Sequence, residues 1–159
     1  MTTANRVTIT TSSAAGTRTL GRRLARLLRS GDVLLLQGPL GAGKTTLAQG
    51  IGAGLNVEEP VTSRTFVLLA RHEGETRLYH ADLYRLTAVE EVEELALEEQ
   101  AGDGVLLVEW PERGLEALPE EHLLVTIVMV LDAPDQRRIT TVAIGDRYLQ
   151  ILDGLRARG

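Results

Sequence analysis

The sequence predicts an α/β fold: a mixed central sheet with helices on both faces, finished by a late β-hairpin. Three observations lead there. Val33–Gln37 and residues 104–108 are short, continuously apolar runs, the pattern of strands buried on both faces. Helical and strand periodicities alternate through the first two thirds of the chain. After Leu123 strand patterns follow one another around a turn signal.

Each element has its own signature. Arg6–Thr11 alternates apolar and polar, as an edge strand does. Residues 17–29 set Leu20, Leu24, Leu27 and Leu28 on one helical face, and Ser30 and Gly31 end that helix. After the Val33–Gln37 strand comes a glycine-rich loop at 38–43, then a helix over 45–55 with glycines that permit close packing. A polar loop covers 59–65. Strands at 66–71 and 77–81 join through Glu73, Gly74 and Glu75 as a hairpin. Thr87 and Glu90 read as a capping box for a helix running to about Gln100. A hairpin of 123–130 with 138–144 turns around Ala133, Pro134 and Asp135, and Asp146 caps a last helix reaching Leu155. With 159 residues and no linker or repeat, the expectation is a single domain over 1–159.

Composition narrows the class. The chain has no cysteine, which excludes disulfides and thiolate metal sites. Residues 1–11 lack an apolar stretch of signal-peptide length, and no apolar run approaches the ~20 residues that span a bilayer. A cytoplasmic protein without membrane contact is expected. The net charge of −5 argues against a surface that is basic as a whole. Charge is nonetheless uneven: Arg18, Arg22, Arg26 and Arg29 recur at helical spacing, and glutamates crowd 90–99. Each stretch reads as a solvated helix face or as a docking face for a partner of opposite sign.

The chemistry centres on Gly38-Pro39-Leu40-Gly41-Ala42-Gly43-Lys44-Thr45, which fits G-x-x-x-x-G-K-[ST] between a buried strand and a helix. Glycines let successive N–H groups turn toward one anion, and the helix start adds its positive dipole end. Of 17 basic residues 16 are arginine, and the single lysine is Lys44, where a compact ammonium suits the space between phosphates. This loop, Gly38 to Thr46, predicts a P-loop nucleotide site with Lys44 on the outer phosphates and the Thr45 hydroxyl on Mg²⁺. Two strands end in acids, Asp82 and Glu109, and ligands gather at the carboxyl ends of strands in such sheets. Either acid suits the metal. His72, His80 and His122 are too scattered for a metal cluster and read as structural. An Asn-Lys-x-Asp guanine element cannot exist with Lys44 as the sole lysine, so ATP is favoured over GTP.

The loop, then Thr62-Ser63-Arg64-Thr65-Phe66, Tyr79-His80-Ala81-Asp82-Leu83-Tyr84-Arg85 and Val108-Glu109-Trp110-Pro111, resembles the TsaE family in order and spacing across essentially the whole chain. These are P-loop ATPases of bacterial tRNA threonylcarbamoyladenosine biosynthesis. The resemblance implies a weak Mg²⁺-dependent ATPase working with TsaD- and TsaB-type partners on adenosine 37 of tRNAs that read ANN codons, with tRNA reached indirectly. It implies Thr45 and Glu109 as Mg²⁺ ligands, 62–66 as a switch-like loop, and Asp82 as the group orienting the attacking water. Trp110 is implied at the nucleotide or partner surface, and Thr17 and Arg137 beside the base. The family's Ser-Pro-Thr reads Ser63-Arg64-Thr65 here, which frees the backbone and adds a cation. Two other readings of the phosphate loop are a small-molecule kinase and a nucleotide sensor without turnover. The kinase lacks a lid-like insertion in this sequence.

Overall fold

The computed structural model describes residues 5–62 and 68–157. The element order is β1 (Arg6–Thr11), α1 (Ala14–Ala25), β2 (Val33–Gln37), α2 (Lys44–Gly54), β3 (Leu69–His72), β4 (Leu78–Asp82), α3 (Val89–Glu94) and α4 (Leu97–Gln100). β5 (Val105–Glu109), two single-turn 3₁₀ helices, β6 (His122–Val130), β7 (Ala133–Ile144) and α5 (Asp146–Ala157) complete it.

Seven strands form one mixed sheet in the order β1-β7-β6-β2-β5-β4-β3. The inner four, β6, β2, β5 and β4, are parallel neighbours, and β1, β7 and β3 add antiparallel pairings. The sheet's two faces support two cores. Leu34 and Leu36 of β2 meet Leu20 and Leu24 of α1, Leu47 and Ile51 of α2, and Ile151 and Leu152 of α5. Val33 and Leu35 point the other way, toward Leu83, Val92 and Leu97. This alternation is why β2 had to be apolar at every position. α1 and α2 pack backbone to backbone: a Cβ on Gly50 would collide with the carbonyl of Arg18.

The predicted fold class holds, with three corrections of detail. The first helix begins three residues early, at Ala14, because Ser13 Oγ accepts from the Gly16 N–H (3.0 Å) and caps it. The helix after Thr87 is two short pieces. Glu91 supplies its cap, accepting from the N–H groups of Thr87 (3.1 Å) and Ala88 (3.2 Å), and Ala96 in the left-handed region (φ 47°) breaks it. Those bonds hold the Glu91 carboxyl below the usual range, the Thr87 N–H contributing most.

The third correction bears on function. The late hairpin turns at Leu131 and Asp132 (φ 68°), and Pro134 lies within β7. Val130 pairs with Ala133 but Met129 pairs with Arg137, so residues 134–136 bulge out of the ladder. Proline has no N–H to give the ladder, and a bulge is where it fits. Arg137 closes the bulge from inside, donating to the carbonyls of Pro134 (2.6 Å) and Gln136 (2.9 Å).

Candidate functional site

The glycine-rich loop leaves the carboxyl end of β2 and feeds directly into α2. Gly38 (φ 154°) runs so close to β6 that a Cβ there would strike the Ile127 carbonyl. Gly41 (φ 79°) has open space around it, and Gly43 (φ 111°) is the N-cap of α2 with no side-chain cap bond. Gly43 thus offers no side chain to cap the first N–H groups of α2, at Lys44, Thr45 and Thr46. Ala42 is fully buried, and its carbonyl accepts from Arg137 Nε at 2.8 Å, which ties the loop to the hairpin bulge.

Lys44 is 6 % exposed. Its ammonium donates to the carbonyls of Gly38 and Pro39, and it lies 4.1 Å from the centre of the Trp110 ring. Burial pushes its pKa below the ordinary lysine value, and the nearby Glu109, Glu112 and Asp82 oppose that fall. Trp110 itself adopts a left-handed backbone (φ 60°), its backbone N–H donates to the Leu36 carbonyl (3.3 Å), and its indole lies beside Lys44. Tyr84 packs on the indole with ring centres 4.8 Å apart, and Arg113 lies over both rings at 5.6 and 5.9 Å.

Asp82 and Glu109 are register partners at the ends of the neighbouring parallel strands β4 and β5. Sheet alternation turns both toward the α2 face, where the other residues of that face, Leu78, Val105 and Leu107, belong to the first core. Asp82 Oδ1 accepts from the Tyr84 N–H at 3.0 Å. Glu109 is 2 % exposed and makes a 2.6 Å hydrogen bond with His80 Nε2. His80 and Asp82 border a cleft of about 190 Å³, also lined by Glu59, Pro60, Thr62 and Arg71. On the other flank Thr17 shares a 2.7 Å bond with Thr11, whose partner across the β1–β7 ladder is Arg137.

The structure thus gathers Lys44, Asp82, Glu109 and Trp110 on one side of the loop, and Thr17 and Arg137 on the other. Ser63 to Phe66, including Arg64, lie outside the described residues, so the switch-like loop is represented by Thr62 alone. Sequence reasoning read His80 as structural without linking it to Glu109, against which the structure places it. The signal was present: His80 stands two residues before Asp82 on one strand, so both project from the same face. Tyr84 and Arg113 were missed as well, since nothing local shows that two loops stack their side chains on Trp110.

The residues fit a magnesium nucleotide. Two carboxylates stand side by side at neighbouring strand ends, the Thr45 hydroxyl and carboxylate oxygens are the hard donors Mg²⁺ takes, and the glycine cradle leaves room for phosphate. Among the described residues no group of three or more His, Asp or Glu is placed to hold a metal ion.

The family profile described as "Threonylcarbamoyl adenosine biosynthesis protein TsaE" matches residues 11–139. The chain belongs to the TsaE family. It is similar to the tRNA threonylcarbamoyladenosine biosynthesis protein TsaE of Streptomyces coelicolor, 44 % identical over 137 residues, or 82 % of this chain and 93 % of that protein. The TsaE protein of Bacillus subtilis is 40 % identical over 141 residues, 87 % of each chain. The fold resembles the crystal structure of YdiB from the same genus, with a TM-score of 0.79 and 34 % identity over 96 % of this chain and 95 % of that one. As a TsaE protein, the chain takes part in tRNA threonylcarbamoyladenosine biosynthesis. No helix among the described residues is long and apolar enough to cross a membrane.

Proposed function

We propose that this TsaE chain is the cytoplasmic ATP-binding and ATP-hydrolysing subunit required for N6-threonylcarbamoyladenosine at position 37 of tRNAs reading ANN codons, acting with TsaD- and TsaB-type proteins. One observation carries the reading. The only lysine of the chain sits at an uncapped helix start, inside a glycine loop, beside two paired strand-end carboxylates. A cation, free N–H groups and acids at the carboxyl edge of a parallel sheet are the parts phosphoryl transfer uses.

The roles follow from position. The loop N–H groups from Gly41 to Thr46 would hold the phosphates, and Lys44 would exchange its two carbonyl acceptors for the outer phosphate oxygens. Thr45 Oγ and the Glu109 carboxylate would hold Mg²⁺, directly or through water. The ion's chemistry there is to neutralise charge developing on the transferred phosphoryl group. His80 fixes the Glu109 carboxylate in one orientation. Asp82, facing the cleft, would orient the attacking water and receive its proton on the carboxylate. Thr17 and Arg137 flank the place left for the base. Weak turnover by the chain alone is expected, because in this arrangement Lys44 is engaged by loop carbonyls and Trp110.

The test is ATP hydrolysis by the purified chain, first alone and then with TsaD- and TsaB-type proteins and tRNA. Slow hydrolysis that changes on adding the partners is the expected result. Hydrolysis indifferent to them, with tRNA modified equally well in its absence, refutes the reading.

A further inference from the structure

The outward face of α1 has no part in the site. Residues 1–31 contain six arginines and no Asp or Glu, whereas the remaining 128 residues hold 11 basic and 22 acidic side chains. Five of the six, Arg18, Arg22, Arg23, Arg26 and Arg29, lie on α1 or in the turns after it.

Among the described residues, four arginines elsewhere are paired with acids, whereas Arg6, Arg113, Arg137 and Arg138 form no salt bridge. Arg71 and Arg77 share Glu73, Arg147 holds Asp32, and Arg156 meets Asp153. Among the described residues, none of the five α1 arginines forms a salt bridge. Arg22 donates only to its neighbour Thr19 (3.1 Å), and Arg23 turns to the Leu155 carbonyl (3.2 Å). Arg18, Arg22 and Arg26 follow one another along one face at steps of ~6 Å, and Arg29 stands in the turn beyond the helix, on a neighbouring groove. Arg22, Arg26 and Arg29 are exposed. Arg22 and Arg26 also wall a surface groove whose other side is the end of α2, at Ala53 to Asn56.

What this face lacks identifies its ligand. A protein docking face needs an apolar or aromatic centre that water leaves on binding. Among the described residues the exposed large hydrophobic side chains are Leu40, Tyr84, Leu115, Met129, Leu131 and Ile144, and none is on α1. The exposed neighbours of these arginines along the chain are small, Ser12, Ala15 and Thr19, and the groove beside Arg22 and Arg26 is lined also by Leu28, Leu55 and a single acid, Glu75. Unpaired arginines in a row, with no anchor between them, suit a ligand that is a line of phosphates. We propose that the outward face of α1 binds the sugar–phosphate backbone of tRNA directly, in place of the indirect contact that the family resemblance implies. α3 packs on the opposite face of the sheet, and Glu98 of α4 with Glu120 and Glu121 borders the groove beside Arg29, so the repelling charge lies at that end of the row and turns the approach toward Arg22 and Arg26. Uniform phosphate contacts carry no base readout, so one tRNA binds as well as another.

The inference rests on family membership and on charge, not on the ATP reading. The experiment is binding of dye-labelled, unmodified tRNA by fluorescence anisotropy across a salt series. Native protein is compared with the triple variant Arg22→Gln/Arg26→Gln/Arg29→Gln and with the corresponding triple Lys variant. The native log K should fall linearly with log salt, and the Gln triple should lose about 3 from that slope, one per phosphate contact. At low salt its affinity should drop ~10-fold or more. The Lys triple should keep most of both. Unchanged melting temperature and ATP binding in the Gln triple separate this effect from unfolding and from the ATP site. If the triple melts lower, Arg26→Glu alone should still flatten the slope. Equal affinity and slope in native and Gln triple overturns the proposal. So does loss of association with a protein partner while tRNA affinity is unchanged, which makes the face a protein dock.

Discussion

Removal of His80 puts the acid at the centre of the site to the test. In His80→Ala, Glu109, 2 % exposed in the native structure, loses its 2.6 Å partner. Breaking a buried pair by removing one member costs about 3–5 kcal/mol, since the survivor keeps its desolvation penalty. Two features set the value at the lower end. The imidazole borders the 190 Å³ cleft, so water can reach the gap, and the space it vacates is continuous with that cleft. We expect about 3 kcal/mol, which for a chain this size lowers the melting temperature by roughly 6–12 °C. His80→Asn, which keeps a donor on a shorter stem, should lose about half as much. The assay is thermal unfolding followed by circular dichroism without nucleotide or metal. ATP hydrolysis and ATP affinity are then compared, the first falling more than the second. A drop below about 2 °C in the Ala variant would refute the argument that His80 holds a carboxylate which cannot otherwise be satisfied.

Four further outcomes can be checked. Lys44→Met should weaken ATP binding ~10-fold or more, the loss of one charged hydrogen-bond donor; equal affinity would put the phosphates elsewhere. Burial lowers the folded-state pKa of Lys44 below 10.5, so below that folded value the native protein alone bears a poorly solvated charge. The ligand-free Met variant should therefore melt higher at neutral pH, with the gap closing as pH rises through the folded value toward 10.5. Glu109→Ala should reduce Mg²⁺-dependent hydrolysis more than ATP affinity, and equal losses in a kinetic and binding comparison would make it purely structural. Arg147→Ala should destabilise by about 2–4 kcal/mol in urea unfolding, because Asp32, 3 % exposed, loses a two-pronged contact at 2.7 and 2.9 Å.

The sheet could be read from the sequence where burial leaves one choice. Val33–Gln37 appears with the bounds expected, since five apolar or amide residues between a charged turn and a glycine run admit no other register. β1 appears likewise, its alternation preserved because only one face is covered. The helix after Thr87 was less legible: Glu90 and Glu91 both offer a carboxylate to the cap, and only the rotamer decides which closes it. The hairpin turn was misplaced because Pro134 signals a turn as strongly as Leu131 and Asp132 do, and the bulge that absorbs it depends on tertiary pairing. At the site, Gly38 to Thr46, Asp82 and Glu109 could be named because strand ends and loops advertise them. The stack of Tyr84, Trp110 and Arg113 could not, because it joins residues from separate loops, and neither Tyr84 nor Arg113 carries a local mark of the other.

The bulge at 134–136 also sets a timetable. β1 has a single ladder partner, β7, and Thr11, on which Thr17 rests, pairs with Arg137, the residue that also grips Ala42. The loop that begins at Gly38 therefore waits for a strand more than 90 residues later in the chain before its far flank is fastened. At ~5–20 residues per second the ribosome needs roughly 5–20 s to cover that gap. During this time the glycine loop exists without its clamp, and β1 has no neighbour to pair with. Such long-range closure is slow even in a finished chain, since loop entropy must be lost before the contacts form. A nascent chain stalled before β7 should be unable to hold nucleotide. Competence at the site thus reports that synthesis has passed the last strand.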